Sequence, residues 1–319
     1  MLQQPRQKAI KMNANIVYVV IEQGVLTRLS KGAFVLCNEK YDSNGLYIRL
    51  EDFKGDMEVQ KQKVLEALQS NDCKYFYEAA ESNFSKIPSS PIAYWVSEKM
   101  FILLSSKLNL KNVSTPCLGM RTGDNERFLR LWYEISVNKS SLLELNEYRS
   151  RKWIPFNKGG SFRRWYGNNE YLVNWENDGK EIKDNTKIKY GENIGWKISN
   201  EQLYFKKGIT WGSVTSGKTS FRFYPNGFIF SNCGQAVISN EENDILPILG
   251  FLNSNITVQL LEIIAPTIGC ESGYVAKLPF SEAIKNGEIA DKVKDNIELS
   301  KNDWDSFETS WDFKKHPLI

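Results

Sequence analysis

The chain has 319 residues, 41% of them hydrophobic and 25% charged, and a formal net charge of +3. This length allows two domains and a core that needs neither a disulfide nor a metal. Five widely spaced cysteines without a CxxC pair argue against a zinc ribbon or a secreted disulfide framework, so we expect a protein of the reducing cytoplasm. We also expect no membrane contact, since no apolar run reaches the roughly 18 residues of a membrane span and the N-terminus lacks a signal-peptide pattern.

The N-terminal part has the pattern of a small α/β segment. Strands are predicted at 16–21, 33–37 and 46–50. Apolar residues at helical spacing predict an amphipathic helix over 58–70. Ser90 followed by Pro91 is typical of a helix start, so we expect a helix from Ile92 to about Leu108.

The middle of the chain, from Cys117 to about Asn240, shows short β-type runs separated by Gly, Asn and Asp. Strands are predicted at 171–175, 203–205, 221–224 and 228–230. Asn226-Gly227 is typical of a type I′ hairpin turn between the last two. A single apolar stripe predicts one long helix over about 244–264, and a final helix is expected near 282–299.

Charge is distributed unevenly along the chain. Residues 151–169 contain five basic residues and no acid, and residues 202–240 contain four basic residues and no acid. Both stretches are rich in aromatic residues, whereas the end from Ser281 onward is acidic. This pattern favours a polyanion bound at the middle of the chain. The alternative is that the cations solvate loops while the aromatic residues fill a β-rich core.

Several catalytic classes are disfavoured by the motifs. The single histidine, His316, argues against imidazole catalysis and histidine metal sites. The string GSVTSGKT, Gly212 to Thr219, fits a phosphate-binding loop, but that motif must open a helix and an aromatic strand pattern follows here. Three clustered acids are the candidates for a metal-dependent nuclease, although capping of the following helix is the simpler interpretation: Glu241, Glu242 and Asp244.

Seven strings, taken in order, resemble the adenine-specific DNA methyltransferases of BREX phage-defence systems, the PglX type, which are related to type IIG restriction-modification proteins. The strings are FSKIPSSPIAYWVSEK (84–99), GMRTGDNERFLRLWYE (119–134), RKWIPFNKGGSFRRWYGNNEYLVNWENDG (151–179), YFKKGITWGSVTSGKTSFRFYPNGFIF (204–230), LGFLNSNITVQLLEIIAPTI (249–268), VAKLPF (275–280) and ETSWDFKKHPL (308–318). The first 60 residues resemble the last strands of that family's catalytic domain.

The resemblance implies an α+β chain: a mixed, β-rich target recognition domain with a long spacer helix, preceded by a small α/β remnant similar to the end of a methyltransferase sheet. The implied segments are 1–82 (α/β remnant), 83–116 (linker and connecting helix), 117–280 (recognition domain) and 281–319 (C-terminal helix and acidic tail). The family's S-adenosylmethionine-binding strands and NPPY-type loop have no match here. We therefore expect a DNA-binding module that is inactive alone and meets S-adenosylmethionine only through a catalytic half.

We expect the basic middle to grip double-stranded DNA. Arg163 and Arg164 lie between glycines, where a loop brings guanidinium groups to phosphates or a guanine edge; the alternative is a salt bridge from one of them to Glu170 or Glu176. The remaining candidates are the cations Lys158, Lys206, Lys207, Lys218 and Arg222, the hydroxyl donors Thr215, Ser216 and Thr219, and the polar turn of Arg121, Thr122 and Asn125.

Two other function classes stay open at this point. One is an intact enzyme, such as a metal-dependent nuclease. The other is a protein-interaction module, in which the apolar helix and the acidic tail bind a methyltransferase catalytic half or other defence-system proteins. Salt, metal and partner dependence distinguish these classes from a DNA-recognition module.

Overall fold

The computed structural model describes residues 16–21, 32–37, 44–50, 52–53, 56–70, 72–145, 150–215, 217–265, 269–316 and 318–319. The chain divides into two compact units, residues 1–105 and residues 106–319. The architecture is mixed α and β with several sheets, which agrees with the predicted α+β class. The finer segmentation given above stays a prediction.

Among its described residues, the first unit contains two antiparallel strand pairs and three helices. Its elements are β1 (Ile16–Ile21), β2 (Gly32–Cys37), β3 (Gly45–Ile48), α1 (Met57–Gln69), β4 (Phe76–Ala79), α2 (Glu81–Phe84) and α3 (Glu98–Leu104). β1 pairs with β2, and β3 pairs with β4, a strand that the sequence analysis missed. The three predicted strands and the amphipathic helix are confirmed within one or two residues. Asp56 caps α1 by accepting hydrogen bonds from its first turn.

The predicted helix over 92–108 is wrong in its first half. Helix α3 begins only at Glu98, where Ser97 supplies the N-cap oxygen. Ser90 has a positive φ of 47°, so the Ser90-Pro91 pair forms a turn instead of a helix start. Tyr94 stacks on Tyr47 with ring centroids 4.6 Å apart, and this aromatic contact fixes the segment as a turn.

The second unit contains the remaining elements. They are α4 (Leu110–Val113), β5 (Ser114–Cys117), α5 (Asn125–Phe128), β6 (Leu129–Leu131), β7 (Trp153–Asn157), β8 (Tyr171–Asn174), α6 (Glu176–Tyr190), β9 (Gly208–Gly212), β10 (Phe221–Tyr224), β11 (Ile229–Phe230), β12 (Gly234–Ser239), α7 (Ile245–Leu252), α8 (Asn255–Ile264), α9 (Ser272–Val275) and α10 (Gly287–Trp304).

Two four-stranded sheets share the core of this unit. One has the order β10-β9-β12-β5 and is antiparallel throughout; the other has the order β11-β7-β8-β6, with β11 parallel to β7. Both sheets contribute to one buried cluster, for example through Phe156, Val173, Tyr224 and Ala236. The loops at the ends of these strands are therefore carried by a single packed scaffold.

Helices α7 and α8 replace the single long helix that was predicted. The helix breaks at Asn253 and Ser254, because the Asn253 amide is committed to the sheet edge: it accepts from the Phe221 backbone N–H at 3.1 Å and donates to the Phe221 carbonyl at 2.9 Å. In the described part of the chain no single helix is long and apolar enough to cross a membrane; α7 and α8, bent by 75°, meet that test as a pair by length and composition.

Three further local predictions are wrong. Residues 201–203 form a 3₁₀ turn, and Phe205 has a φ of 67°, so no strand runs over 203–205. Asn226-Gly227 joins β10 to β11, which lie in different sheets, so it forms no hairpin turn. Helix α6 was missed because its start, Asn177 to Gly179, has left-handed backbone angles; its buried face carries Ile182.

The last helix is shifted relative to its prediction. It runs from Gly287 to Trp304, because the Asn286 side chain caps it by accepting from the Glu288 N–H at 2.9 Å. Residues 282–284 form a separate 3₁₀ turn. This shift brings the last helical turn, with Ser300 and Asp303, against the first acid-free stretch.

Candidate nucleic-acid interface

Short segments meet at one end of the two sheets, and we call their described residues together the loop surface: residues 119–122, 158–164, 213–215, 217–220 and 231–233. The Ser213 N–H donates to the Cys233 carbonyl at 2.8 Å, and the Asn232 N–H donates to the Met120 carbonyl at 3.1 Å. The Arg163 N–H donates to Ser220 Oγ at 3.1 Å. The structure therefore brings the two acid-free stretches into direct contact.

Glycine is required where the chain turns at the first of these loops. Gly159 and Gly160 have φ angles of 102° and 121°, which L side chains rarely adopt. A Cβ at Gly159 would lie 3.1 Å from the Cys233 carbonyl oxygen, and one at Gly160 would lie 2.7 Å from the Asn168 amide. Gly159 is therefore buried against the Cys233 backbone, whereas Gly160, the next residue of the turn, is exposed to solvent.

Trp165 fixes the far side of the same loop to the edge of the other sheet. Its backbone N–H donates to the Phe221 carbonyl at 2.9 Å, and its carbonyl accepts from the Phe223 N–H at 2.8 Å. The loop after β7, which belongs to one sheet, thereby extends the edge strand β10 of the other. Such a loop has little conformational freedom.

The Arg163 side chain points to helix α10. Its guanidinium forms an ion pair with Asp303, donates to the Tyr166 carbonyl at 3.0 Å and to the Ser300 carbonyl at 3.3 Å, and lies 5.1 Å from the Trp304 ring. Glu170 or Glu176 was the predicted salt-bridge partner of one arginine of the pair. The acid is Asp303, from a segment far along the chain that spacing does not reveal.

Three other cations of the loop surface carry no carboxylate partner within the described residues. Arg164 lies 5.7 Å from the Phe162 ring centroid, and Lys158 lies 4.2 Å from the Tyr171 ring. Lys218 is exposed in the second loop. Neutral aromatic rings orient Lys158 and Arg164 without cancelling their charge.

Lys206 and Lys207 do not join this group. They precede β9, whereas Lys218 follows it, so the length of a five-residue strand separates them from the loop surface. Lys206 is exposed, and Lys207 forms an ion pair with Glu242. The second acid-free stretch therefore supplies cations to both ends of the strand.

Arg222 was expected among the surface cations, and the structure buries it. The residue is 2% exposed in strand β10, under the first loop. It donates to the Arg163 carbonyl at 3.4 Å and to the Gly159 carbonyl at 3.3 Å. Burial, together with the charge of Arg163, lowers the pKa of Arg222 to about 10.

The polar candidates have different surroundings. Thr122 is buried and donates to the Asn125 side-chain oxygen at 2.5 Å, while Arg121 is exposed beside it. Thr215 accepts from the Gly217 N–H at 3.1 Å, and Thr219 hydrogen-bonds the Cys270 thiol. Ser216 lies outside the described residues.

One basic and aromatic cluster was missed by the sequence analysis. The Arg121 N–H donates to the Lys197 carbonyl at 2.8 Å, and the Lys197 ammonium lies 4.3 Å from the Tyr190 ring and 4.5 Å from the Trp196 ring. Trp196 is half-exposed. The neighbouring letters Trp196-Lys197 were the available signal, but they lie outside both acid-free stretches.

The structure also distinguishes between the alternative interpretations of two motifs, the GSVTSGKT string and the acids before α7. Thr219 and Ser220 lead to strand β10, so the GSVTSGKT string does not open a helix and is not the strand–loop–helix motif that binds nucleotide phosphates. Asp244 pairs with Lys285 at 2.7 Å and Glu242 pairs with Lys207, so neither acid caps α7 through its side chain. In the part of the chain that the structure describes, no group of three metal-ligating side chains occurs.

One cavity of the second unit is a poor fit for S-adenosylmethionine, the cofactor that the resemblance implies for a complete methyltransferase. This cavity of about 520 Å³ lies beside α7 and α10, but its charged lining includes the ion pairs Lys207–Glu242 and Lys285–Asp244. Because these carboxylates are paired, they are not free to bind a ribose hydroxyl in the way that nucleotide sites use an acid. No step through this cofactor is derived from this chain.

Comparison with known proteins identifies relatives. No model of a protein family matches the chain. The chain is 38% identical over 291 residues to the adenine-specific methyltransferase PglX of Lacticaseibacillus casei (strain Zhang), covering 90% of this chain and 24% of that protein. The chain is a BREX PglX-type relative. It is also 38% identical over 253 residues to the adenine-specific methyltransferase BrxX of Escherichia coli O9:H4 (strain HS), covering 78% of this chain and 20% of that protein.

The resemblance inferred from the ordered strings is thereby confirmed. This PglX relative spans about a quarter or less of the length of the two proteins that it matches. The activity of the complete proteins is therefore a matter of proposal for this chain.

Proposed function

We propose that this PglX relative is the DNA target recognition module of an adenine-N6 DNA methyltransferase in a BREX phage-defence system. In this proposal the loop surface binds double-stranded DNA. A catalytic half, on the same or another chain, supplies S-adenosylmethionine and extrudes the adenine from the duplex. The chain is not active as an enzyme alone.

The observation that carries the proposal is the meeting of the two acid-free stretches on one loop surface. Lys158, Arg164 and Lys218 have no ion-pair partner there among the described residues, so their charge is available to phosphates. The exposed Gly160 of the same loop has no side chain, which favours close approach of a phosphate or a groove edge to its backbone. The relatives' names add the chemistry, adenine-specific methyl transfer.

Binding to a labelled duplex of mixed sequence tests the proposal. Fluorescence anisotropy at salt concentrations from roughly 50 to 200 mM is expected to show saturable binding whose affinity falls steeply with salt, since each neutralised phosphate releases counterions. Binding to a neutral polysaccharide of similar size is the control and is expected to be absent. A folded chain that binds no duplex at 50 mM salt would contradict the proposal.

A protein-interaction role of the acidic tail has less support. The last turn of α10 is engaged with the loop at Arg163, and Lys301 pairs with Asp305 and Asp312 inside the same segment. These acids are therefore used within the chain. Removal of residues 281–319 is expected to destabilise the loop surface, which argues for a supporting role of this segment.

A further inference from the structure

The buried Arg222 is the least satisfied charge of the described chain. Its two donors reach the Gly159 and Arg163 carbonyls only at 3.3 and 3.4 Å, at the long end of the hydrogen-bond range. No carboxylate pairs with it in the described part of the unit. A fully buried guanidinium without an anion is unfavourable for the free chain.

Further unsatisfied polar atoms belong to the same strands and loop. Arg222 Nε, Thr210 Oγ1, Asn157 Nδ2 and Arg164 Nε are all buried without a hydrogen-bond partner. Thr210 is the direct cross-strand neighbour of Arg222, so the two side chains share one face of the sheet. Asn157 precedes the glycine loop whose carbonyl Arg222 contacts.

The charge of Arg222 persists at neutral pH. Its pKa is lowered to about 10, which still leaves the guanidinium protonated at pH 7. The positive charge thus lies directly beneath the 158–164 loop, in a low-dielectric interior where its field is weakly screened. Above it the loop carries Lys158 and Arg164, also without acid partners.

We propose that Arg222 is a positioning residue for DNA: its buried guanidinium holds the Gly159 and Arg163 carbonyls and supplies charge that a backbone phosphate bound on the loop compensates. This inference rests on the proposed function, and adds that part of the phosphate affinity originates from a residue that never touches the phosphate. Binding then relieves an electrostatic cost present in the free chain.

An internal anion placed beside Arg222 tests the inference. Thr210→Asp changes the side-chain volume little and puts a carboxylate next to the guanidinium, while Thr210→Val is the neutral control of the same shape. Thr210→Asp is expected to keep or raise the unfolding temperature, to weaken duplex binding about tenfold at 100 mM salt and to lower the salt slope by up to about one unit. Thr210→Val is expected to change neither the affinity nor the slope.

A second pair of variants covers a folding failure of Thr210→Asp. Arg222→Gln removes the charge and is expected to reproduce the loss of affinity, whereas Arg222→Lys retains the charge and is expected to remain within about threefold of the original chain. A merely structural role predicts a different result. In that case Arg222→Gln and Arg222→Lys lose affinity for the duplex equally, and both have a lowered unfolding temperature.

The outcomes separate the two proposals. If the original chain binds the duplex and Thr210→Asp binds like Thr210→Val, the inference on Arg222 is overturned and the recognition function stands. If the original chain binds no duplex at any salt concentration, both are overturned. A Thr210→Asp variant that is more stable and binds more weakly supports both.

Discussion

The loop surface and helix α6 have similar numbers of cations and opposite electrostatics. On α6 three lysines form ion pairs: Lys180–Asp184 within the helix, Lys187–Glu192 just beyond its end, and Lys183–Glu201 with the 3₁₀ turn over 201–203. On the loop surface Lys158 and Arg164 face aromatic rings, and Lys218 faces solvent. The net charge of the whole chain, +3, therefore does not reveal that one region carries locally uncompensated positive charge.

A second contrast lies within the loop itself. Arg163 and Arg164 are neighbours in the chain, yet Arg163 binds helix α10 through Asp303 whereas Arg164 has no acid partner in the described structure. Arg163 fixes the loop to helix α10, and in the proposed function Arg164 contacts the DNA. The basic character of a stretch thus divides into support and function only when the fold is known.

The largest expected effect comes from removing the uncompensated charges. The triple variant Lys158→Ala, Arg164→Ala and Lys218→Ala is expected to lower duplex affinity about 100-fold or more at 50 mM salt and to reduce the log–log salt slope by two to three units. Anisotropy titrations at several salt concentrations measure both quantities. The effect arises because three phosphate contacts and their counterion release are lost.

The matched control is the triple variant Lys180→Ala, Lys183→Ala and Lys187→Ala on helix α6. It removes the same formal charge, but from paired lysines, so the slope is expected to remain unchanged. Equal loss of affinity in the two triple variants would show that overall charge, and not the loop surface, governs binding.

A smaller effect is expected from removing the contacts by which Arg163 fixes the loop to helix α10. Arg163→Ala removes the ion pair with Asp303, two backbone hydrogen bonds and the Trp304 contact. The free energy of unfolding is expected to fall by about 2 kcal/mol, as for charged hydrogen bonds in a partly buried site. Asp303→Asn is expected to cost less than about 1 kcal/mol, because Asp303 is mostly exposed. Urea unfolding measures both values; an Arg163→Ala variant of unchanged stability but weaker DNA binding would instead make Arg163 a direct DNA contact.

The smallest effect concerns thiol reactivity. Burial raises the pKa of the Cys270 thiol to about 11 and that of the Cys117 thiol to about 12, so at pH 8 both are almost entirely protonated and are expected to resist iodoacetamide. Cys233, on the loop surface, is exposed and is expected to react.

Duplex DNA is expected to slow the alkylation of Cys233 severalfold while leaving that of Cys73, in the first unit, unchanged. Peptide mass spectrometry after timed labelling measures each site. Equal protection of the two cysteines, or none at Cys233 under saturating DNA, would place the bound duplex away from the loop surface.

Local patterns predicted much of the secondary structure. The run at 16–21 is β-branched or aromatic throughout, and the run at 221–224 is aromatic apart from Arg222; they form the strands β1 and β10. Helix α6 was missed because three residues with left-handed angles precede its regular part and its composition is polar; Ile182 is its one large buried apolar side chain. The break between α7 and α8 depends on Asn253, whose partner Phe221 lies in a distant strand.

The candidate site was predictable in composition and not in arrangement. Acid-free stretches are visible in the sequence, and their contact through the Arg163 N–H and Ser220 Oγ was the unknown. The ion pair of Arg163 follows from the contact between α10 and the 158–164 loop, and the burial of Arg222 follows from the pairing of β10 with β9. Register joins residues far apart in the chain, which spacing cannot encode.

Strand β5 pairs with β12, and β7 pairs with β11, although the chain forms both later strands only after most of the second unit has been made. Pairing between distant segments is slow, because a long loop must close before any contact is gained. During synthesis, the β5–β12 and β7–β11 pairs therefore form no earlier than the point at which residues 229–239 have been made. The loop surface, which includes residues 231–233, is completed no earlier than that point.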